Sequence, residues 1–124
     1  MIKLNTILKI ADNSGATLAK CIKILGGSKK KNALLGDLII VTIIKIKTTV
    51  TKFKIKPKQI FNALIIKCKN IKNKKCYIFY KFRSNSIILL DKQKNPIGTR
   101  LFGLIPFFIK TKFLKLISLS YVII

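Results

Sequence analysis

Short hydrophobic runs that lysine interrupts at close intervals make up most of this sequence. The longest stretches without a charged residue span nine residues each, at 101–109 and 116–124. A helix that crosses a bilayer needs about 20 consecutive apolar residues, so no segment predicts one. Lysine interrupts nearly every segment irrespective of face, which disfavours an outer-membrane barrel. The pattern instead favours many short strands separated by turns.

The charge balance restricts the chain further. Twenty-six residues are Lys or Arg and three are acidic, which gives a formal net charge of +23, while 50% of the residues are hydrophobic. Such an apolar composition does not predict disorder, yet the uncompensated cations repel one another. We therefore expect the chain to form one domain over 1–124 that folds against a polyanion: RNA, DNA or an anionic membrane.

The sequence lacks the side-chain combinations that most enzymes use for catalysis. Histidine is absent, which removes Ser–His and Cys–His nucleophile pairs and imidazole metal ligands. The acids Asp12, Asp37 and Asp91 are too far apart in sequence to favour a carboxylate acid/base pair. The three cysteines have no CxxC spacing, so we interpret them as reduced thiols that fill the core. The sequence predicts no enzyme activity, no cofactor and no metal site.

Turn residues divide the chain into predicted strands of alternating or β-branched character. These strands cover 17–25, 38–47, 52–56, 60–67, 76–82 and 86–90. Several short strands at this spacing favour a small closed barrel, because closure removes the exposed edges that Ile-rich strands would present. We place this mainly β barrel at about 1–103.

The remaining tail, about 104–124, is predicted to be helical. Ile109, Phe113, Leu116 and Ile117 recur at helical spacing, with lysines between them. We therefore expect one or two short C-terminal helices that pack on the rim of the barrel.

Lysine clusters are the candidates for binding a polyanion, because ammonium groups neutralise phosphates and release counterions. One cluster is a predicted loop tip after Gly26–Ser28, and another alternates with Ile and Phe before Pro57. The candidates in these two clusters are Lys29, Lys30, Lys31, Lys45, Lys47, Lys52, Lys54 and Lys56. Most charge runs in proteins are ordinary solvated surface, and the absence of nearby acids is what favours RNA here.

Arg100 is one of only two arginines, against 24 lysines. A guanidinium supplies a planar, forked contact to phosphate that lysine cannot. An ordinary surface arginine is an equally good interpretation. The segment Asp12–Gly15 is predicted to be a local Asx turn.

Several segments resemble a known family in both order and spacing. They are 11–16 (ADNSGA), 21–28 (CIKILGGS), 36–37 (GD), 63–66 (ALII), 82–89 (FRSNSIIL), 96–103 (PIGTRLFG) and 113–119 (FLKLISL). Together they resemble the universal large-subunit ribosomal protein L fourteen family over nearly the whole chain. The resemblance implies a closed five-stranded barrel bound to large-subunit ribosomal RNA.

The resemblance also implies partners and contact residues. Members of the family contact small-subunit RNA across the subunit interface, neighbour ribosomal protein L three and, in bacteria, L nineteen, and offer a docking surface to a ribosome-silencing factor. Carried over by position, Asn13, Lys23, the 29–31 loop and Arg100 become candidate RNA contacts. An alternative function is a basic RNA-binding barrel that works outside the ribosome.

The tail departs from the family by being more apolar and less acidic. Residues 104–110 read LIPFFIK where the family usually carries an acid and arginines. We predict that a protein neighbour covers this surface at Phe107, Phe108 and Phe113.

The 24 isoleucines and 24 lysines, with no tryptophan, are typical of an AT-rich genome. This bias predicts a mitochondrial ribosome, with a plastid-like organelle or a reduced bacterium as alternatives. The first residues carry neither a signal-peptide pattern nor an Arg-rich presequence, so we expect the protein to work where it is made.

Overall fold

The computed structural model describes residues 2–47, 55–69, 80–107, 109, 113–116 and 118–123 of the chain. Within these ranges it contains β-strands and the 3₁₀ turn Leu114–Leu116, and Phe107 and Ile109 are α-helical. In chain order the strands are β1 (Ile7–Ile10), β2 (Ala16–Ile24), β3 (Leu38–Ile46), β4 (Ile60–Lys67), β5 (Ser86–Leu90), β6 (Leu101–Ile105) and β7 (Ser120–Ile123). None of the helical structure in these ranges is long and apolar enough to cross a membrane.

The first five strands form a closed barrel in the order β1–β2–β3–β4–β5. Each consecutive pair is antiparallel, and β1 closes the barrel by pairing with β5 in parallel, where Lys9 lies opposite Ser86. Closure leaves no free edge on these strands, which is the property that their isoleucine content requires. The predicted mainly β fold with a closed five-stranded barrel is confirmed.

Alternation along β3 builds one wall of the core. Ile39, Val41 and Ile43 are fully buried or nearly so, whereas Ile40 and Thr42 between them are half-buried. A strand that buries one face and exposes the other requires this period of two. β5 differs, because all five of its residues are buried, as in a strand covered on both faces.

Four of the predicted strands are confirmed. The predicted ranges 17–25, 38–47, 60–67 and 86–90 correspond to β2, β3, β4 and β5. The sequence does not predict β1, because a strand of four residues is too short to show an alternating pattern.

Two predicted strands do not form where the structure describes them. The last two residues of 52–56 are irregular, since a hydrogen bond from Gln59 N–H to the Lys56 carbonyl (3.4 Å) closes a turn there. Residues 80–82 of the predicted strand 76–82 are also irregular. The remaining residues of both ranges lie outside the described part of the chain.

The last residues of the predicted helical tail form a strand instead. Ser120–Ile123 is a strand that pairs in parallel with β6, so the predicted boundary at 103 falls inside a strand. Ile109 and Leu116 are buried, as the helical spacing predicts, and the described helical residues of the tail are Phe107, Ile109 and the 3₁₀ turn. The run from Ser118 onwards has no lysine, and Ser120–Ile123 within it pairs along an edge of β6.

Candidate nucleic-acid interface

Asp12 is buried beneath the turn that joins β1 to β2. Its Oδ1 accepts hydrogen bonds from the backbone N–H (3.0 Å) and the hydroxyl of Ser14, and its Oδ2 accepts one from Leu89 N–H (3.1 Å). Burial raises the pKa of Asp12 above its usual value, although these hydrogen bonds oppose the shift. This carboxylate therefore fastens the turn to β5 and is closed to solvent.

The other two acids also serve the fold. Asp37 accepts a hydrogen bond from Leu34 N–H (2.8 Å) and forms an ion pair with Lys30 (2.8 Å). Asp91 accepts one from Asn95 N–H (2.8 Å) and so closes a turn. All three carboxylates of the chain are thus used locally, and they leave nearly all of its cations without an internal counter-charge.

Asn13 holds the loop that carries Arg100. Its Oδ1 accepts hydrogen bonds from Thr99 N–H (2.8 Å) and Arg100 N–H (3.1 Å), and its Nδ2 donates to Thr99 Oγ1 (2.8 Å). A Cβ at Gly98 would lie 2.9 Å from both Asn13 Oδ1 and Asp12 Cβ, so the close contact between residue 98 and the Asp12–Asn13 turn requires glycine. The predicted Asx turn and the predicted arginine site are therefore one assembly, in which Asn13 bonds to its own chain.

Exposed cations surround this assembly. Arg100 lines a cleft of about 310 Å³ together with Thr99 and the residues 118–120. Lys47 N–H donates to the Gly15 carbonyl (2.8 Å) at the other side of the same turn, and Lys45 precedes it on β3. We call Lys45, Lys47 and Arg100 the Arg100 end of the barrel.

Lys56 extends this end. Its side chain is exposed in the turn that Gln59 closes, and Gln59 is bonded to Ile43 of β3 (3.0 Å). The predicted contacts Lys52 and Lys54 lie outside the described residues.

The other predicted contacts lie at the opposite end of the barrel. Lys23 is exposed near the end of β2, and the loop after β2 carries Lys29–Lys31. β2 has nine residues, so at about 3.3 Å per residue its two ends are roughly 26 Å apart. We call Lys23 and Lys29–Lys31 the Lys29 end; within it, Lys29 and Lys31 are exposed and Lys30 is half-buried beside Asp37.

Lys67 is a cation whose ammonium group makes a hydrogen bond within the fold. Its Nζ donates to the Phe102 carbonyl (3.1 Å), and burial lowers its pKa. Gly103, beside this ammonium group, has a φ of +86°, a left-handed conformation that favours glycine. Lys67 therefore ties β6 to the barrel.

Of the predicted interface phenylalanines, Phe107 is exposed and Phe113 is half-buried. Phe113 lines a small apolar cavity of about 10 Å³ with Ile109 and Leu116, so it packs inside the chain. Phe108 lies outside the described residues.

The described residues contain no group of three or more His, Cys, Asp or Glu that could hold a metal ion. Cys21 and Cys68 are buried, and burial raises the pKa of Cys21. Cys76 lies outside the described part of the chain. The two described thiols therefore occupy core positions, in agreement with the sequence interpretation.

Comparisons with known proteins agree with the resemblance found in the sequence. The family model described as ribosomal protein L14p/L23e matches residues 1–124. The large ribosomal subunit protein uL14 of Carsonella ruddii (strain PV) is 46% identical over 125 residues, an alignment that covers all of both chains. The chain therefore belongs to the ribosomal protein L14p/L23e family, whose members are structural components rather than enzymes.

Proposed function

We propose that this protein binds large-subunit ribosomal RNA with the two basic ends of its barrel. One observation supports this above all: the three carboxylates are engaged inside the fold, while Lys29, Lys31, Lys45, Lys47 and Arg100 remain exposed. Cations that gather without internal counter-charges are stabilised by phosphates from outside.

The proposed mechanism is architectural. The barrel holds two groups of cations at a fixed separation, so it brings phosphates of different RNA segments together. Lysine is a point charge and reads little of the base sequence. Arg100, which the Asn13 loop holds in place, supplies the directional contact.

Salt dependence tests this mechanism. If six or more phosphates are contacted, affinity for large-subunit ribosomal RNA should fall on the order of 10³-fold or more between 50 and 200 mM salt. A flat response would contradict the proposal. Sedimentation with large subunits distinguishes a ribosomal role from the alternative of a free-standing RNA-binding barrel, which would stay in the supernatant.

The position at the subunit interface and the protein neighbours are further proposals. We infer from the family resemblance that small-subunit RNA, the L three and L nineteen types of protein and a silencing factor contact this chain. An apolar surface supports a protein neighbour: Leu104 and Val122 lie opposite each other on β6 and β7, and both are exposed, as are Phe102 and Phe107. Cross-linking of assembled subunits with identification of the joined peptides tests these contacts.

The proposed cellular compartment is inferred from the composition and from the similar protein of Carsonella ruddii. The AT-rich bias supports a mitochondrial ribosome, and the bacterial relative supports the bacterial alternative. Detection of the protein in isolated mitochondria, after protease treatment of their surface, decides between them.

A further inference from the structure

A second cleft lies where β4 ends and β5 begins. It has a volume of about 470 Å³ and is lined by Lys69, Lys81, Phe82 and Arg83. The three cations are exposed and Phe82 is half-buried. Lys69 belongs to a third lysine-rich stretch of the sequence, 67–75, but Lys81, Phe82 and Arg83 are not among the predicted RNA contacts, although Arg83 is the second of the two arginines.

The backbone on both sides of the cleft is fixed to the barrel. Phe82 N–H donates to the carbonyl of Cys68 (3.2 Å), which directly follows β4. Lys69 N–H donates to Oδ1 of Asn85 (2.9 Å), which directly precedes β5. The cations and the ring are therefore brought together by the fold before any ligand binds, which lowers the ordering cost of binding.

No acid of the chain balances this charge. Asp12, Asp37 and Asp91 make their contacts elsewhere, and no ion pair joins the cations of the cleft to another residue within the described ranges. Three like charges around one concavity repel one another unless an anion enters it. The cleft therefore calls for an anionic ligand.

The aromatic ring narrows the class of ligand. Phosphate alone would need only the cations, and a perfect RNA duplex keeps its bases stacked inside, away from a phenyl ring. An unpaired nucleotide offers both a phosphate and a base whose flat face can stack on an aromatic side chain. The guanidinium of Arg83 can donate hydrogen bonds to two phosphate oxygens at once.

We propose that this cleft binds an unpaired nucleotide of RNA, with its base on Phe82 and its phosphate on Arg83, Lys69 and Lys81. The proposal rests on the RNA-binding function proposed above and adds a binding mode to it. It also assigns the second arginine a role, distinct from that of the Arg100 end.

Phe82→Leu tests the stacking step with full-length protein and two probes, an oligouridylate and a perfect RNA duplex of the same length. Affinity for the oligouridylate should fall about fivefold or more, because a stacked base is lost, while affinity for the duplex stays unchanged. Phe61→Leu removes a ring on β4 that is half-buried like Phe82 but lies outside the cleft, and it should change neither affinity. Wild-type binding of both probes by Phe82→Leu would overturn the proposal, and it is the result expected if the cleft takes an acidic peptide. An equal loss on both probes would also overturn it, because the ring would then not act by stacking on an unpaired base.

Arg83→Ala tests the phosphate contact without touching the half-buried ring. The slope of log affinity against log salt on the oligouridylate should decrease by about 0.7, the value for one phosphate of a single strand. Lys92→Ala removes one exposed charge from another turn and should keep the wild-type slope. Equal slopes for the two variants would overturn the proposal. Loss of salt-dependent binding by the wild-type protein itself would instead contradict the RNA-binding function.

Discussion

The two basic ends of the barrel carry similar charge but are held in different ways. At the Arg100 end, three hydrogen bonds from the Asn13 side chain fix the loop, and the buried Asp12 lies directly beneath it. At the Lys29 end, the loop has a backbone hydrogen bond from Lys30 N–H to the Gly27 carbonyl (3.3 Å) and an ion pair between Lys30 and Asp37, whose side chains are 30% and 21% exposed. The Arg100 end therefore holds its cation in a fixed orientation, whereas the Lys29 end supplies charge on a less constrained loop.

The chemistry of the cations explains this difference. A guanidinium binds a phosphate through a planar fork, so its contribution depends on the angle at which it is presented. An ammonium group is a point charge on a flexible stem and tolerates a loosely held loop. We therefore expect substitutions in the supporting contacts to matter at the Arg100 end and to matter little at the Lys29 end.

The largest effect should come from Asp12→Ala. Removal of this buried carboxylate leaves the N–H groups of Ser14 and Leu89 without their acceptor, so the free energy of unfolding should fall by about 2–4 kcal/mol. Urea unfolding measures it. The control Asp91→Ala removes an acceptor from an exposed turn and should lower the free energy of unfolding by only about 1 kcal/mol. Equal losses would show that burial of the acid is not what matters.

The same carboxylate predicts a pH dependence. Burial raises the pKa of Asp12 above 3.8 in the folded protein, so the fold holds this proton more tightly than the unfolded chain does. Its contribution to stability is fully present below that value and is lost as pH rises through the raised pKa. Wild-type stability relative to Asp12→Asn, which does not titrate, should therefore decline over this interval. A constant difference would contradict the prediction.

The next largest effect concerns the charge of the Lys29 end. Replacement of Lys29–Lys31 by alanine should reduce affinity for ribosomal RNA about tenfold or more and lower the salt slope by about 0.9 for each duplex phosphate lost. Thermal unfolding should be unchanged, because Lys29 and Lys31 are exposed and Lys30 contributes one surface ion pair. The triple variant Lys9→Ala, Lys20→Ala and Lys92→Ala removes equal charge away from this loop. An equal loss of affinity would mean that total charge, not position, governs binding.

The barrel was largely predictable because its strands carry local signals. In β3 the β-branched residues alternate in burial, and this period of two is visible in the sequence without any partner strand. β7 was not predictable, since Ser120–Ile123 becomes a strand only by pairing with β6 across a connection of 14 residues. Apolar residues at helical spacing between 109 and 117 predicted a helix, but this spacing gives no information on 120–123, where pairing with β6 determines the structure.

The candidate interface also has features that local sequence patterns predict and features that they do not. The exposed lysines of the 29–31 loop could be predicted from composition and turn residues, because exposure is a local property. The bonds from Asn13 to Thr99 and Arg100 join residues 86 and 87 positions apart, so no pattern in the sequence indicates them. The family resemblance makes Asn13 a candidate RNA contact, and the structure adds that its amide is bonded to Thr99 and Arg100.

Asn13→Ala should have a smaller effect than the loop variant. The Arg100 loop loses its support while Arg100 keeps its charge, so RNA affinity should fall about fivefold. Measurement of Asn13→Ala, Arg100→Ala and the double variant completes the test. If Asn13 acts by positioning Arg100, the double variant should bind no more weakly than Arg100→Ala. Additive losses would instead assign Asn13 a direct RNA contact.

Asp37→Ala should have the smallest effect and the opposite sign. It releases Lys30 and raises the net charge from +23 to +24, so RNA affinity should stay constant or rise by up to about twofold. The free energy of unfolding should fall by about 1 kcal/mol, since the ion pair and the acceptor for Leu34 N–H are near solvent. A fall in affinity as large as that of Asn13→Ala would show that the Lys29 end also needs a fixed geometry. An unchanged or higher affinity means that its supporting contact serves the fold alone, because ammonium groups on a loosened loop still reach phosphates.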